Sequence, residues 1–290
     1  MVSPILIPEL SSLCKMLQCS DIYQAEVGRS LTDAKNENTV ISHGESSLFH
    51  HLDGWDSRIS GFSVGKVEFV LGTDRRYIKE CIDEFLSVPI YRYTVIRLSQ
   101  QRTEWIQEFE RQGAILLDTT VDMAVLLPQE IGDQNDDGNV ISSDLANPDQ
   151  LLECYKSFNV GRFFTDPEVS YGVPAYKEWV ENSLLKKAAD QVLAYVDAQE
   201  QVQGLVTLKS GVLGNLKILK IPLLVKHPES RLHGISQKLL SAAFAVSEKD
   251  GYDAAVINTQ GSNIAAQLGY LRTGFRPYHA GVTLRILATT

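Results

Sequence analysis

The sequence predicts an α/β protein assembled from two related halves, on two observations. The first is the stretch from Lys217 to Phe275. It reads as an apolar strand (Leu216 to Val225), a polar turn with one glycine, and an amphipathic helix. A second strand (Ala254 to Thr259) and a second helix (Ser262 to Leu271) follow, closing at Gly274-Phe275. In the first helix Ile235, Leu239, Ala243 and Ser247 recur every four residues, flanked by Leu240 and Phe244, as one buried face requires. The second observation is internal similarity. At an offset of 161, Val256 falls on Val95, Ile257 on Ile96, Tyr270 on Phe109 and Gly274 on Gly113. The chemistry-bearing residues do not recur: Asn263 falls on Arg102, and the turn at 231–236 falls on the stretch from Val70, which lacks its glycine spacing. The alternative is chance similarity between short segments.

In chain order, residues 1–48 read as an N-terminal extension. Pro4 to Leu17 could form a short amphipathic helix, read either as a poorly ordered terminal extension or as a docking arm or homodimer element, and Asp33 to Ser46 is expected as a polar loop. A degenerate domain over 49–130 follows. Trp55-Asp56-Ser57 make a turn into the strand Gly61 to Val67, then come a helix from Tyr77 to Leu86 and a strand of β-formers from Thr94 to Leu98. A charged helix from Thr103 to Gln112 ends at Gly113, a good residue just past a helix end, before an antiparallel pair at Ile115–Leu117 and Val121–Leu127. Residues 131–139 are an acidic linker. Asp133, Asn135, Asp137, Gly138 and Asp144 match calcium-loop spacing there; the competing reading is a solvated linker with Ser143-Asp144 capping the helix Pro148 to Phe158. In the domain at 140–290, Gly161 to Val173 is a loop. Pro174 starts a helix to about Lys187, with Tyr176, Trp179, Val180 and Leu184 on one face. Strands follow at Gln191–Val196 and Leu205–Lys209, with a hairpin turn at Gly211–Asn215.

Composition bounds the partners. With 290 residues, 44% hydrophobic and 22% charged, the chain reads as globular and long enough for two domains. A net charge of −9 argues against a nucleic-acid or anionic-membrane surface. Cys14, Cys19, Cys81 and Cys154 are irregularly spaced, as expected of free thiols in a reducing cytosol and of neither a disulfide framework nor a metal motif. Pro4, Pro8 and Glu9 interrupt the first apolar run, which makes a poor signal peptide, and no stretch approaches the roughly 20 apolar residues of a membrane helix. The expectation is a soluble cytoplasmic protein.

Against this acidic background Lys226, His227, Arg231, His233 and Lys238 crowd the start of the first motif helix. Basic side chains beside free helix N–H groups make an anion site. Here Arg231-Leu232-His233-Gly234-Ile235-Ser236 resembles the Arg/Gln-x-x-Gly-x-Gly/Ala loop of the GCN5-related N-acetyltransferases, and Asn263-x-x-Ala266-x-x-x-Tyr270-x-x-x-Gly274-Phe275 resembles that superfamily's second signature. Ser236 departs from the loop pattern, where its Cβ could crowd a pyrophosphate or its hydroxyl could donate to one. Thr259-Gln260, Gly161-Arg162-Phe163 and Trp179-Val-Glu181-Asn182 are similar to the dTDP-fucosamine acetyltransferase branch, whose members act on a nucleotide-linked amino sugar. The resemblance implies a mixed, mostly antiparallel sheet flanked by helices, with a smaller degenerate copy before it. It also implies acetyl-CoA as cosubstrate, held at Arg231, His233, Gly234, Ile235, Ser236 and Asn263, with a backbone N–H near Leu224 or Val225 on the thioester carbonyl. Arg162, Phe163, Trp179 and Asn182 fall where that branch would bind the sugar nucleotide. An ion pair and a core tryptophan would equally explain Arg162 and Trp179.

Acetyl transfer to an amine needs a phosphate site, a polarised carbonyl, a deprotonated amine and a proton for the thiolate. Tyr270 is the candidate acid, since a phenol is protonated at neutral pH; a packing tyrosine is the alternative. The strand Leu216–Val225 carries no glutamate to act as base, which leaves water, Glu181, Asp166 or His227. No cysteine lies within 217–275, so direct transfer is expected without a covalent enzyme intermediate and without a required metal. Two other functions fit the same residues: acetylation of a different small amine or peptide N-terminus, and a non-catalytic acyl-CoA-binding module.

Overall fold

Two twelve-residue strands at the centre of the sheet hold the halves together. In a computed structural model, residues 39–87, 90–127, 139–159, 161–169, 171–213 and 216–288 are described. The first half contributes β1 (Thr39–His43), β2 (Ser46–Leu52), β3 (Val64–Leu71), β4 (Tyr93–Ser99) and β5 (Ile115–Leu126). Its helices are α1 (Gly54–Ser60), α2 (Arg75–Ser87) and α3 (Thr103–Arg111). The second half contributes β6 (Asn139–Ser142), β7 (Gln191–Val196), β8 (Val202–Leu213), β9 (Leu216–Ile221), β10 (Leu224–Lys226), β11 (Ala254–Gln260) and β12 (Arg276–Leu287). Its helices are α4 (Pro148–Glu153), α5 (Arg162–Thr165), α6 (Gly172–Leu184), α7 (Ile235–Asp250) and α8 (Ile264–Arg272). The strands form one mixed sheet in the order β1-β2-β3-β4-β12-β5-β11-β9-β8-β7-β6, with β10 paired to β8 off this path.

That order exchanges strands. The chain's last strand, β12, lies against β4 of the first half, while β5 lies against β11 of the second; β5 and β12 pair with each other. The expected hairpin at 115–127 is therefore one twelve-residue strand. Thr119, Thr120 and Val121 keep the backbone extended, and the carboxylates of Asp118 and Asp122 line a cleft instead of the core. The repeat at offset 161 is carried end to end here: β11 maps onto β4, α8 onto α3 and β12 onto β5, with coincident termini.

Each core accordingly contains the other half's strand. Ile235, Leu239, Leu240, Ala243 and Phe244 of α7 pack with Met123 and Val125 of β5. Ile78, Ile82 and Phe85 of α2 and Trp105 and Phe109 of α3 pack with Leu284 and Ile286 of β12.

Several elements depart from the sequence reading. Strands start at Thr39, inside the stretch expected as extension and loop. The expected turn at Trp55–Ser57 is helix α1, because the Asp53 side chain accepts from the Asp56 N–H and Gly61 closes the helix at a positive φ of 76°. Helix α4 is capped by Asn147, whose side chain accepts from the N–H groups of Asp149 and Gln150, and not by Ser143-Asp144. The loop after Gly161 contains α5, and α6 starts at Gly172, ahead of Pro174. The central strand is cut at Pro222, which has no N–H for the ladder, into β9 and β10. The calcium-loop positions 133–138 lie outside the described residues, as do Cys14 and Cys19; Asp144 pairs with Lys186 at 3.2 Å. Cys81 and Cys154 are buried free thiols. Among the described residues no helix is long and apolar enough to cross a membrane.

Replacing Leu284, which is fully buried in the first half's core, by Ala should cost about 2–5 kcal/mol. Because the strands are exchanged, urea unfolding of this variant should remain a single transition displaced to lower midpoint, with no separate unfolding of either half.

Candidate functional site

A wedge opens in the sheet where Pro222 interrupts the central strand. The parallel pairing of β9 with β11 runs as far as Ile221 opposite Ile257 and stops. Beyond it β10 continues along β8, whereas β11 runs on beside β5 to Gln260. The resulting cleft, about 880 Å³, is lined by residues of β10, β11, α8 and the central strands, and by Phe163 and Trp179.

Ladder alternation decides which main-chain donors face it. The Thr207 N–H donates to the Leu223 carbonyl at 2.9 Å and the His227 N–H to the Gln203 carbonyl at 2.8 Å. Leu223, Val225 and His227 therefore direct their amide groups at β8, and Leu224 and Lys226 direct theirs to the opposite side. Ser157 Oγ donates to the Lys226 carbonyl at 2.7 Å. The donor on the wedge side within the Leu224–Val225 pair is thus Leu224, and the Val225 N–H belongs to the ladder.

At the head of α7, Gly234 adopts a left-handed φ of 76° and no side chain caps the helix. The Lys238 N–H makes the first intrahelical bond, to the Gly234 carbonyl at 3.1 Å, which leaves the N–H groups of Ile235, Ser236 and Gln237 for a ligand. Arg231, Leu232 and His233 are exposed around this turn, the Ile235 side chain is buried in the core, and Ser236 lines the cleft. Asn263 is the N-cap of α8, not part of the helix: its Oδ1 accepts from the Ala266 N–H at 3.3 Å. Its side-chain nitrogen is the group left to a ligand. Tyr270 is buried against Phe275, with ring centroids 6.0 Å apart, and burial pushes its phenol up to about 12.

The first half has closed its corresponding space. Ala266 lines the cleft, and its counterpart at offset 161 is Trp105, fully buried, with Nε1–H donating to the Gly72 carbonyl at 3.0 Å. The indole reaches the strand-to-helix turn where the second half keeps open volume.

Of the residues expected at the acceptor, Phe163 and Trp179 reach the cleft and Asn182 does not. Phe163 packs edge-on to Trp55 and Tyr171, and Trp179 stacks on Tyr176 at 5.8 Å; both rings line the cleft. Asn182 donates to Glu178 at 3.3 Å, in a network with Trp55 and Arg58, and does not line the cleft. Arg162 begins α5, between the cleft-lining Gly161 and Phe163.

Of the proposed bases, Glu181 pairs with Lys177 at 3.9 Å on the surface. Asp166 is buried outside the cleft, where it accepts from Tyr93 Oη at 2.5 Å and Arg285 Nε at 3.0 Å. His227 lines the cleft, but its Nδ1 accepts from the Glu229 N–H at 3.3 Å. The proton of that neutral ring is on Nε2, which is buried without a hydrogen-bond partner among the described residues, so His227 presents a donor.

Sequence reasoning missed the cleft floor. Asp118, Thr120 and Asp122 of β5 alternate on one face. Beside them stand Asn258 of β11 and His279 of β12, each directly opposite Asp122. Asn258 Nδ2 donates to Asp122 Oδ1, and His279 Nδ1 lies 2.5 Å from Asp122 Oδ2. Burial pushes the Asp118 carboxyl up. A register shift at Tyr278, between Pro277 opposite Met123 and His279 opposite Asp122, brings the imidazole to the carboxylate. The one legible hint was two aspartates four residues apart in a run of β-formers. Their partners are more than a hundred residues away. Among the described residues no group of three or more His, Cys, Asp or Glu is placed to hold a metal ion.

No family model and no curated protein matches the sequence. Solved structures do match. A GCN5-related N-acetyltransferase from Sphaerobacter thermophilus superposes with a TM-score of 0.57 at 15% identity, over 92% of this chain and 86% of that one. The fold is that of the GCN5-related N-acetyltransferases. A tandem GNAT protein from the clavulanic acid biosynthesis pathway, solved without AcCoA, matches with a TM-score of 0.55 at 11% identity, over 90% of this chain and 86% of that one. A GCN5-related glucosamine N-acetyltransferase region of a fungal multi-domain β-N-acetylglucosaminidase matches with a TM-score of 0.54 at 11% identity, over 83% of this chain and 31% of that one.

The Tyr270 shift sets an alkaline signature. An unfolded tyrosine ionises near pH 10, so between about pH 10 and 12 the unfolded state has lost a proton that the native state keeps. Stability should fall across that window by up to roughly 2–3 kcal/mol and be insensitive to this group below it. Tyr270→Phe should remove that component of the loss in urea titrations at stepped pH.

Proposed function

We propose that this chain is an acetyl-CoA-dependent N-acetyltransferase whose acceptor is a nucleotide-linked amino sugar. The observation that carries the proposal is the wedge itself. One cleft brings together an outward-facing N–H at Leu224, a buried phenol at Tyr270 and the uncapped head of α7 behind Gly234.

The residues fit the cosubstrate. The N–H groups of Ile235, Ser236 and Gln237, with Arg231 and His233 beside them, suit the pyrophosphate. The Asn263 side-chain nitrogen suits the pantetheine arm, and the Leu224 N–H suits the thioester oxygen, where charge develops during transfer. Acetyl-CoA supplies an activated acetyl group. Tyr270 supplies the proton for the departing sulfur, and its upward-shifted phenol stays protonated throughout the physiological range.

On the acceptor side, carboxylates at Asp118 and Asp122 suit a cationic ammonium, and the rings of Phe163 and Trp179 suit a sugar or base. Arg162 is assigned to the diphosphate, since a guanidinium fork matches phosphate oxygens. The similarity to the dTDP-fucosamine branch at 161–163 and 179–182 supports this acceptor, with Asn182 set aside because it lies outside the cleft. The fungal glucosamine N-acetyltransferase region gives an amino-sugar precedent on this fold. The acidic floor would also receive another small amine or a peptide N-terminus, which is the second reading.

The test is release of free CoA thiol from acetyl-CoA, against free and nucleotide-linked amino sugars and simple amines. Turnover confined to nucleotide-linked amino sugars is expected. Turnover on simple amines or peptides would select the second reading, and tight acetyl-CoA binding without any turnover would leave a binding module. Tyr270→Phe should lower kcat by roughly 10²-fold or more with acetyl-CoA affinity retained.

A further inference from the structure

We infer that His279 is the general base of this site, held in position by Asp122; the inference rests on the acetyl-transfer reading above. Three independent features of the central strands point to it.

The first is the hydrogen-bond geometry. With Nδ1 2.5 Å from Asp122 Oδ2, the imidazole has its Nδ1–H donating to the carboxylate, which fixes the tautomer with a lone pair on Nε2, across the ring from Asp122. Asp122 is itself oriented, because its other oxygen accepts from Asn258 Nδ2. A base oriented by a carboxylate that is oriented in turn by an amide is the arrangement a proton acceptor needs.

The second is the strand register. β5 and β12 are each interrupted by one register irregularity, at Tyr278 in β12 and at Leu117 in β5, and these two residues are counterparts at offset 161. Between them, 279–283 pairs with 118–122 one step out of register with both ends of the ladder. The shift sets His279 opposite Asp122, where unbroken pairing would set Tyr278. A bulge that re-aims a side chain beside a cleft is a common way of placing a functional group.

The third is space. At Gly281, two residues on and on the same strand face, an added Cβ would sit 3.7 Å from His279 Cε1 and 2.8 Å from Thr120 Oγ1. A larger residue there would clash with Thr120 and press on the Leu98 carbonyl, so glycine is what lets β12 lie this close to β5 and hold the imidazole, with its Nε2 buried, against the floor of the cleft.

The proton count closes. An ammonium acceptor loses two protons as the amide forms, and the sulfur gains one. His279 Nε2 takes the first and returns it to solvent. The second, released as the N–C bond forms and the C–S bond breaks, replaces the proton that Tyr270 gives to the sulfur. Asp122 comes from the degenerate half, which thereby contributes a positioning residue to the working site.

The experiment is a kcat–pH profile for the parent, His279→Gln and Asp122→Asn, at saturating acetyl-CoA and the best acceptor from the thiol-release panel. Thermal unfolding and acetyl-CoA titration serve as controls. The parent should show an acidic limb. His279→Gln should lose roughly 10²–10⁴-fold at neutral pH and recover as pH rises toward the acceptor's own ionisation. Asp122→Asn, which removes a negative charge beside the imidazolium, should move the limb to lower pH and lower the plateau. Acetyl-CoA affinity should be unchanged in both. A parent-like rate in His279→Gln, or a loss by one constant factor at every pH in both variants, overturns the base assignment while leaving acetyl transfer intact. A parent that releases no thiol with any acceptor overturns the acetyl-transfer reading, and the base with it.

Discussion

The ladder between β5 and β12 is the interaction on which the rest depends. These two strands belong to opposite halves of the sequence, and each is inserted beside the other half's penultimate strand. Neither core is complete without the exchange, since Met123 and Val125 pack under α7 while Leu284 and Ile286 pack under α2 and α3. The exchange also fixes where chemistry can occur, because the floor of the cleft is the line where the two halves are hydrogen-bonded together. Two halves with a repeated arrangement of elements thus share one continuous sheet.

The halves differ in what occupies the space between strand, turn and helix. In the second, Pro222 diverts β10, Gly234 bares the head of α7 and Ala266 leaves volume. In the first, Trp105 fills the counterpart of Ala266 and bonds to Gly72. Trp105 thus seals in the first half the volume that Pro222, Gly234 and Ala266 together keep open in the second. The sealed copy keeps a role through its strand, which carries Asp118, Thr120 and Asp122 into the shared floor.

What could be read from the sequence follows from range. The buried face of α7 was visible because a helix repeats its burial every three or four residues, and the duplication because equal spacing survives when side chains diverge. The Gly234 turn and Tyr270 were visible through local motifs. Pro222 is visible as a residue, but the break it makes shows only in the divergence of β10 from β9. The strand exchange was hidden, since pairing of β12 with β4 and of β5 with β11 leaves no local mark. The dyad was hidden for the same reason: Asp122 and His279 meet only across that ladder. Asn182 misled because a motif string carries no direction, and its side chain turns to Glu178.

The paired irregularities at Leu117 and Tyr278 have a consequence for how this protein can change. Each strand carries one extra residue, so the mismatch opened at one bulge is cancelled at the other, and the ladder ends meet in their original alignment. The window between them behaves as an interchangeable tile. Its cleft-facing positions can be rewritten, as the divergence of His279 from its counterpart Asp118 illustrates, while Leu284 and Val125 stay seated in their cores. Losing one bulge alone would instead slide one end of the ladder by a residue and turn the apolar side chains there toward the cleft. Lineages of this fold should therefore gain or lose the two bulges together, with sequence drift concentrated between them.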